Sequence, residues 1–206
     1  MWIQFKRRFS MAHRLRFDRS SKCMVPHGHN EFVTVSLQPK AGGKGVDWGR
    51  ANYAESFAAL KQRWHGFVDD ALDHAFQLGH DDPMIAYFQA HEPELLPRLL
   101  VIQGDPTTEA VAVALFMKLD AILARYLPQF ECARLELEET PTNNIVVTPD
   151  DVAACPIELG AWCHRADLSI NDLLSPESWL SAAENLERPS PSSSELGRHT
   201  AVGQKK

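Results

Sequence analysis

The tightest constraint on this chain is the run Cys23-Met24-Val25-Pro26-His27-Gly28-His29-Asn30. In an extended backbone, residues i and i+2 point to the same side. His27 and His29 therefore aim both imidazoles at one point, and Gly28 leaves room between them. Past them Val33, Val35 and Leu37 alternate with Phe32, Thr34 and Ser36, which predicts a half-buried strand over 29–38. Upstream, Ile3, Phe5, Phe9, Met11 and His13 share one parity, interrupted by Arg7. That pattern predicts a strand over 1–13 delivering a third imidazole near its end. Three histidines with an open fourth position form the donor set of a catalytic zinc site rather than a closed structural one. Cys23 is close enough to be either the fourth ligand or a nucleophile beside the metal, and the sequence leaves both readings open.

The rest of the chain bounds what such a site serves. With 206 residues, 44% of them hydrophobic, there is material for one globular domain plus extras. A net charge of −6 and a pI near 5.8 exclude a nucleic-acid surface, which needs a basic balance. No apolar run is long enough to span a bilayer, and Met1 to Arg8 lacks the apolar stretch of a signal peptide. The four cysteines, 23, 132, 155 and 163, form no regular framework and read as reduced thiols, which points to the cytoplasm.

Four of the nine residues 14–22 are basic, which reads either as a solvated loop or as a grip on a polyanionic substrate tail. The turn at 41–45 lacks a phosphate-cradling pattern. A helix is predicted over 49–72, with Tyr53, Phe57, Leu60, Trp64, Phe67 and Ala71 as its apolar stripe. A less regular connection spans 75–104, with a short helix from Asp82-Pro83 to His91 and a short strand at 99–102. A second long helix starts from Asp105 as N-cap with Pro106 at its first position, and Leu127-Pro128 ends it. Strands follow at 131–139 and 143–148. Glu139 falls on the apolar parity of its strand, where a carboxylate needs a partner. The order ββααββ predicts an α+β fold: a four-stranded antiparallel sheet with two helices on one face. That domain covers 1–150. Residues 151–206 read as an extension, with a short helix around Trp179 and disorder from about 189.

The motifs, in order, resemble those of the 6-pyruvoyl-tetrahydropterin synthase / 6-carboxytetrahydropterin synthase family. They are Phe9-Ser10-Met11-Ala12-His13, Cys23 to Asn30, Val46-Asp47-Trp48, Leu72-Asp73-His74, Pro106-Thr107-Thr108-Glu109 and Glu139-Thr140. The resemblance implies the tunnelling fold, whose subunits join edge to edge into trimeric barrels that often stack in pairs. It implies that His13, His27 and His29 ligate Zn2+, and that Cys23 is the catalytic thiol with Asp73 and His74 as proton relay. It implies further that Thr107, Thr108, Glu109 and Glu139 anchor a pterin. Read as local structure alone, Asp73 and His74 end a helix, and Thr107 to Glu109 cap the next one.

The three residues between Cys23 and His27 are similar to the carboxytetrahydropterin (queuosine-pathway) type. That type implies a lyase acting on 7,8-dihydroneopterin triphosphate. Alternatives are triphosphate elimination to 6-pyruvoyl-tetrahydropterin, or a non-catalytic protein in which Cys23 closes the zinc sphere. The chain departs from the family pattern at Glu31, where an aromatic is common, and in its last strand, which lacks the usual tyrosine.

Overall fold

A computed structural model describes residues 1–42 and 45–175. The expected helix around Trp179, the disorder from 189 and part of the 41–45 turn lie outside these residues.

The two strands that carry the histidines form the centre of the sheet. Strand β1 (Ile3–His13) runs antiparallel to β2 (His27–Pro39), and β2 pairs antiparallel with β5 (Phe130–Thr140), which pairs with β6 (Asn143–Val147). This is the four-stranded antiparallel sheet that the alternation predicted. Two short strands extend it. Strand β3 (Ala75–Gly79) lies parallel to β1, and β4 (Leu99–Ile102) lies parallel to β3, giving the order β4-β3-β1-β2-β5-β6. Strand β3 escaped the sequence reading because Ala-Phe-Gln-Leu-Gly has no polar alternation: four of its five residues are buried.

One face of the sheet is apolar, with Phe5, Phe9, Met11, Val33, Val35, Leu37, Leu135 and Leu137 all buried. Helices α2 (Phe57–Phe67) and α4 (Thr108–Tyr126) contribute Leu60, Trp64, Phe67, Val111, Leu115, Leu119 and Ile122 to the same core. The opposite face is polar: Lys6 pairs with Glu138 at 2.7 Å and Arg8 donates to Asn30 at 2.6 Å. The short helices α1 (Ser21–Met24), α3 (Pro83–His91) and α5 (Pro149–Ala154) complete the elements used below.

Two helix starts differ from the sequence expectation. Helix α2 begins after Ser56, whose hydroxyl caps Ala59 N–H, and residues 49–56 form turns. Gly49 (φ 87°) and Asn52 (φ 60°) hold left-handed backbone there, which a helix cannot include. Tyr53 consequently leaves the expected stripe and is exposed. The last turn, Val68–Leu72, widens to a π-helix. Helix α4 is capped by Thr107 rather than Asp105, because Asp105 accepts the backbone N–H groups of Arg16 and Phe17 at 3.0 and 2.7 Å. Pro106 thus stays outside the helix, with its carbonyl directed at His13.

Residues 159–173 pack on the sheet edge and on α4. Val101 N–H donates to Ile170 O, Gln103 N–H to Leu159 O, and Trp162 Nε1 to Val101 O. Asn171 donates to the carbonyls of Leu96 and Leu99. Lys118 of α4 is fully buried, and its Nζ reaches Ser169 O (3.0 Å), Trp162 O (3.3 Å) and Asp167 Oδ1 (3.4 Å) between the rings of Phe67 and Trp162. Burial lowers the Lys118 pKa from 10.5 to about 8, against the pull of Asp167. The unfolded chain then binds more protons between those values. Lys118 by itself therefore adds stability as pH increases from 8 to 10.5, on the order of 3 kcal/mol, while the buried thiols of Cys132 and Cys163, held above their usual range, act in the opposite sense. Urea titrations should show the stability of the wild type gaining on that of Lys118→Met across that range.

Candidate metal centre

The register places the histidines. His13 at the end of β1 is the Cα partner of His27 at the start of β2, and Met11 is the partner of His29. All three imidazoles fall on one face and offer ring nitrogens within 4.8 Å of one another. The His29 ring stands edge to face with those of His13 and His27, at centroid distances of 5.2 and 5.1 Å, and the His13 and His27 rings are tilted at 4.5 Å. Gly28 is required between the two β2 histidines, since a Cβ there would lie 2.6 Å from the carbonyl oxygen of Met11.

The hydrogen bonds at the rear of the rings decide the tautomers. His13 Nδ1 faces Pro106 O at 3.2 Å and His27 Nδ1 faces Val25 O at 2.9 Å, so both Nδ1 atoms carry the proton. The two Nε2 atoms, 3.1 Å apart, are then bare lone pairs pointed at each other. That contact is repulsive unless a cation lies between them. Two nitrogens bound tetrahedrally at zinc distances sit about 3.3 Å apart, so the residues present fit such an ion. Burial pushes the His13 pKa down to about 4, partly offset by the bond to Pro106, which keeps the ring neutral and ready to ligate. The Cys23 sulfur is not among the clustered atoms; its backbone accepts from Leu15 N–H at 2.8 Å, which holds α1 beside the end of β1.

A cleft of about 410 Å³ adjoins the centre, lined by Thr108, Glu109, Glu139, Thr142, Asn143, Asn144 and Ile145. Glu139 occupies a bulge, where the β5–β6 register shifts between Glu138 and Thr140. Bulges of this kind re-aim a side chain. Thr108 Oγ1 donates to Glu139 Oε1 at 2.8 Å and Asn143 Nδ2 to Oε2 at 3.3 Å. Burial raises the Glu139 pKa, but these two bonds and the nearby His29 and His13 outweigh it and hold the carboxylate below its usual range. Thr107 serves as the α4 cap and does not line the cleft.

Asp73 and His74 form a dyad, with His74 Nδ1 at 2.8 Å from Asp73 Oδ2 and Asp73 Oδ1 accepting Ser10 N–H at 2.7 Å. Burial raises the Asp73 pKa, yet the Ser10 and His74 bonds bring it below its usual value. His74 holds a left-handed backbone (φ 63°), and its side chain is 77% exposed. The dyad lies beside Ser10, three residues from His13 along β1, and among the described residues no hydrogen bond joins it to Cys23. The basic loop is pinned rather than free: Arg14 pairs with buried Asp82 at 2.9 Å and Arg16 reaches Asp81.

Two residues went unrecognised in the sequence as neighbours of this centre. Glu31 continues the parity of His27 and His29, is 1% exposed, and is pushed up to about 8 by burial and then by Glu139. Extending the alternation by one step would have found it. Gln77 is the β3 partner of His13, and neither end of its buried amide has a partner. No signal marked it, because β3 itself was missed.

A family model described as 6-pyruvoyl tetrahydropterin synthase matches residues 2–150. The chain belongs to that family. It is 30% identical over 115 residues to a probable 6-carboxy-5,6,7,8-tetrahydropterin synthase from Halobacterium salinarum, covering 54% of this chain and 65% of that protein. An uncharacterized protein from Wolinella succinogenes shares the fold, with TM-score 0.56 and 22% identity over 72% of this chain and 98% of that one. The 6-pyruvoyl tetrahydropterin synthase of Caenorhabditis elegans aligns with TM-score 0.49 and 23% identity, covering 72% of this chain and 94% of that one. The sheet with its helices is the tunnelling fold.

If the three imidazoles are the whole protein ligand set, His27→Ala should lower bound metal from one equivalent per chain to below about a tenth, by loss of one of three donors. Elemental analysis of the purified variant measures this.

Proposed function

We propose that the chain is a zinc-dependent lyase converting 7,8-dihydroneopterin triphosphate and water into 6-carboxy-5,6,7,8-tetrahydropterin, acetaldehyde and triphosphate. The observation that carries the reading is the convergence of bare imidazole nitrogens from His13 and His27, with His29, next to a cleft holding a hydrogen-bonded carboxylate. When bound, zinc acts as a Lewis acid toward the hydroxyl oxygens of the substrate side chain.

The chain's own residues supply the rest. Glu139 accepts the ring N–H and an amino hydrogen of the pterin, and Thr108 and Asn143 fix its orientation. Cys23 removes and returns protons along the side chain. His74, with its Nδ1 held by Asp73, presents Nε2 as a second proton carrier. That ring is highly exposed and not bonded to Cys23, so we assign the dyad to the site of a neighbouring copy in a homo-oligomer.

The name of the matched family supports a second reading, triphosphate elimination to 6-pyruvoyl-tetrahydropterin. Acetaldehyde separates the two: one equivalent should accompany each triphosphate released, and its absence would turn the assignment to the pyruvoyl reaction. Cys23→Ala should retain zinc while turnover falls about 100-fold or more; full turnover in that variant would remove the thiol from the mechanism. For the dyad, mixing unfolded Cys23→Ala and His74→Ala chains before refolding should restore part of the activity that each lacks alone.

A further inference from the structure

Glu31 stands two residues past His29 on β2, on the side of the sheet that carries the imidazoles. It lies deeper than His29 and Glu139, which keep partial exposure, and its Oε2 is enclosed with no hydrogen-bond partner. Its partner on β1 is Phe9, whose side chain has no donor to offer. On the other flank the β2–β5 ladder ends at Phe32 and Glu138; Glu31 and Glu139 are the next residues of the two strands, near enough that Glu139 helps to raise the Glu31 pKa. Two neighbouring carboxyl groups, one with an enclosed oxygen that has no donor, are an unfavourable pairing for the fold by itself. A buried acceptor left unpaired beside a cleft points to a partner from outside the chain.

We propose that Glu31 is a specificity-determining residue, the second of two carboxyl groups that read the amino side of a bound aminopyrimidinone ring. The inference rests on the pterin reading above and extends it. Glu139 takes the ring N–H and one hydrogen of the exocyclic amine. The amine's second hydrogen points away from that pair, and a carboxylate aligned on the first two donors does not reach it. Glu31, one strand over and deeper, accepts it on its carbonyl oxygen, which serves in either protonation state. A ring with oxygen in place of that amine offers that oxygen no hydrogen and turns an acceptor toward the Glu139 carboxylate, and buried polar groups left unpaired are the strongest source of discrimination between close analogues. Asn143 and Thr108 steady Glu139 alone, so the amino-versus-oxo choice falls to the pair.

The test is equilibrium binding of neopterin and of its 2-oxo (lumazine) counterpart, followed by ligand fluorescence. The proteins are zinc-loaded wild type, Glu31→Gln and Glu31→Leu, with metal content and melting temperature measured on the same samples. The wild type should prefer neopterin by about 100-fold or more, and both variants should keep zinc yet lose about 10-fold of that preference. In turnover the same change should appear in KM, with kcat nearly unchanged. Should Glu31→Leu fail to fold, the isosteric Glu31→Gln carries the test. An unchanged preference in a folded, zinc-loaded variant would overturn the role of Glu31 while leaving the proposed reaction intact. A wild type that binds neopterin but does not turn over the triphosphate would sink the reaction, and the variants would still decide Glu31. A wild type that binds neither ring sinks both.

Discussion

The pairing of His13 with His27 is the contact on which the site depends. It follows from one choice of register between β1 and β2, and a slip of one residue would carry each imidazole to the opposite face of the sheet. The register is secured far from the histidines. Phe5, Phe9 and Met11 on β1, with Val33, Val35 and Leu37 on β2, bury one face completely, and a shifted pairing would expose that apolar set. The histidine cluster is therefore held by the hydrophobic core, and the rear hydrogen bonds to the Pro106 and Val25 carbonyls only set which nitrogen is bare.

Helix α4 joins the two halves of the site. Because Thr107 takes the cap, Pro106 remains outside the helix with its carbonyl on His13, while Thr108, the first helical residue, holds Glu139. The same helix carries Lys118, which ties residues 162–169 to the core. His13 on β1 and Glu139 on β5 are thus both held against the start of one helix, which suits a site whose groups must keep fixed separations.

Much of this was legible in the residues. Alternation marked β1, β2 and β5, set His27 and His29 on one side of their strand, and put His13 and Glu139 each on the apolar parity of its own. Where the reading failed, local signals competed. Asp105 has the chemistry of a cap, but a loop 88 and 89 positions earlier in the chain claims its carboxylate, and no local pattern records that. Tyr53 fits the helical period, yet Gly49 and Asn52 turn the chain before the helix begins. Strand β3 is hidden because burial on both sides erases alternation, and Gln77 was hidden with it. Asp73 and His74 are adjacent in sequence and bonded to each other, but their distance from Cys23 depends on which strand edge they occupy.

The segment 159–173 also bears on which borders of the sheet are open to a further strand. The outward N–H groups of Val101 on β4 and of Gln103 just past its end are already taken by Ile170 and Leu159, so that border of the sheet is closed from within. Backbone ladders between copies are left to β6 and to the first part of β1, which β3 does not cover. These two borders differ from one another, so a junction that joined one to the other would be head-to-tail and self-limiting only on closing a ring, whereas a border paired with itself would stop at two copies.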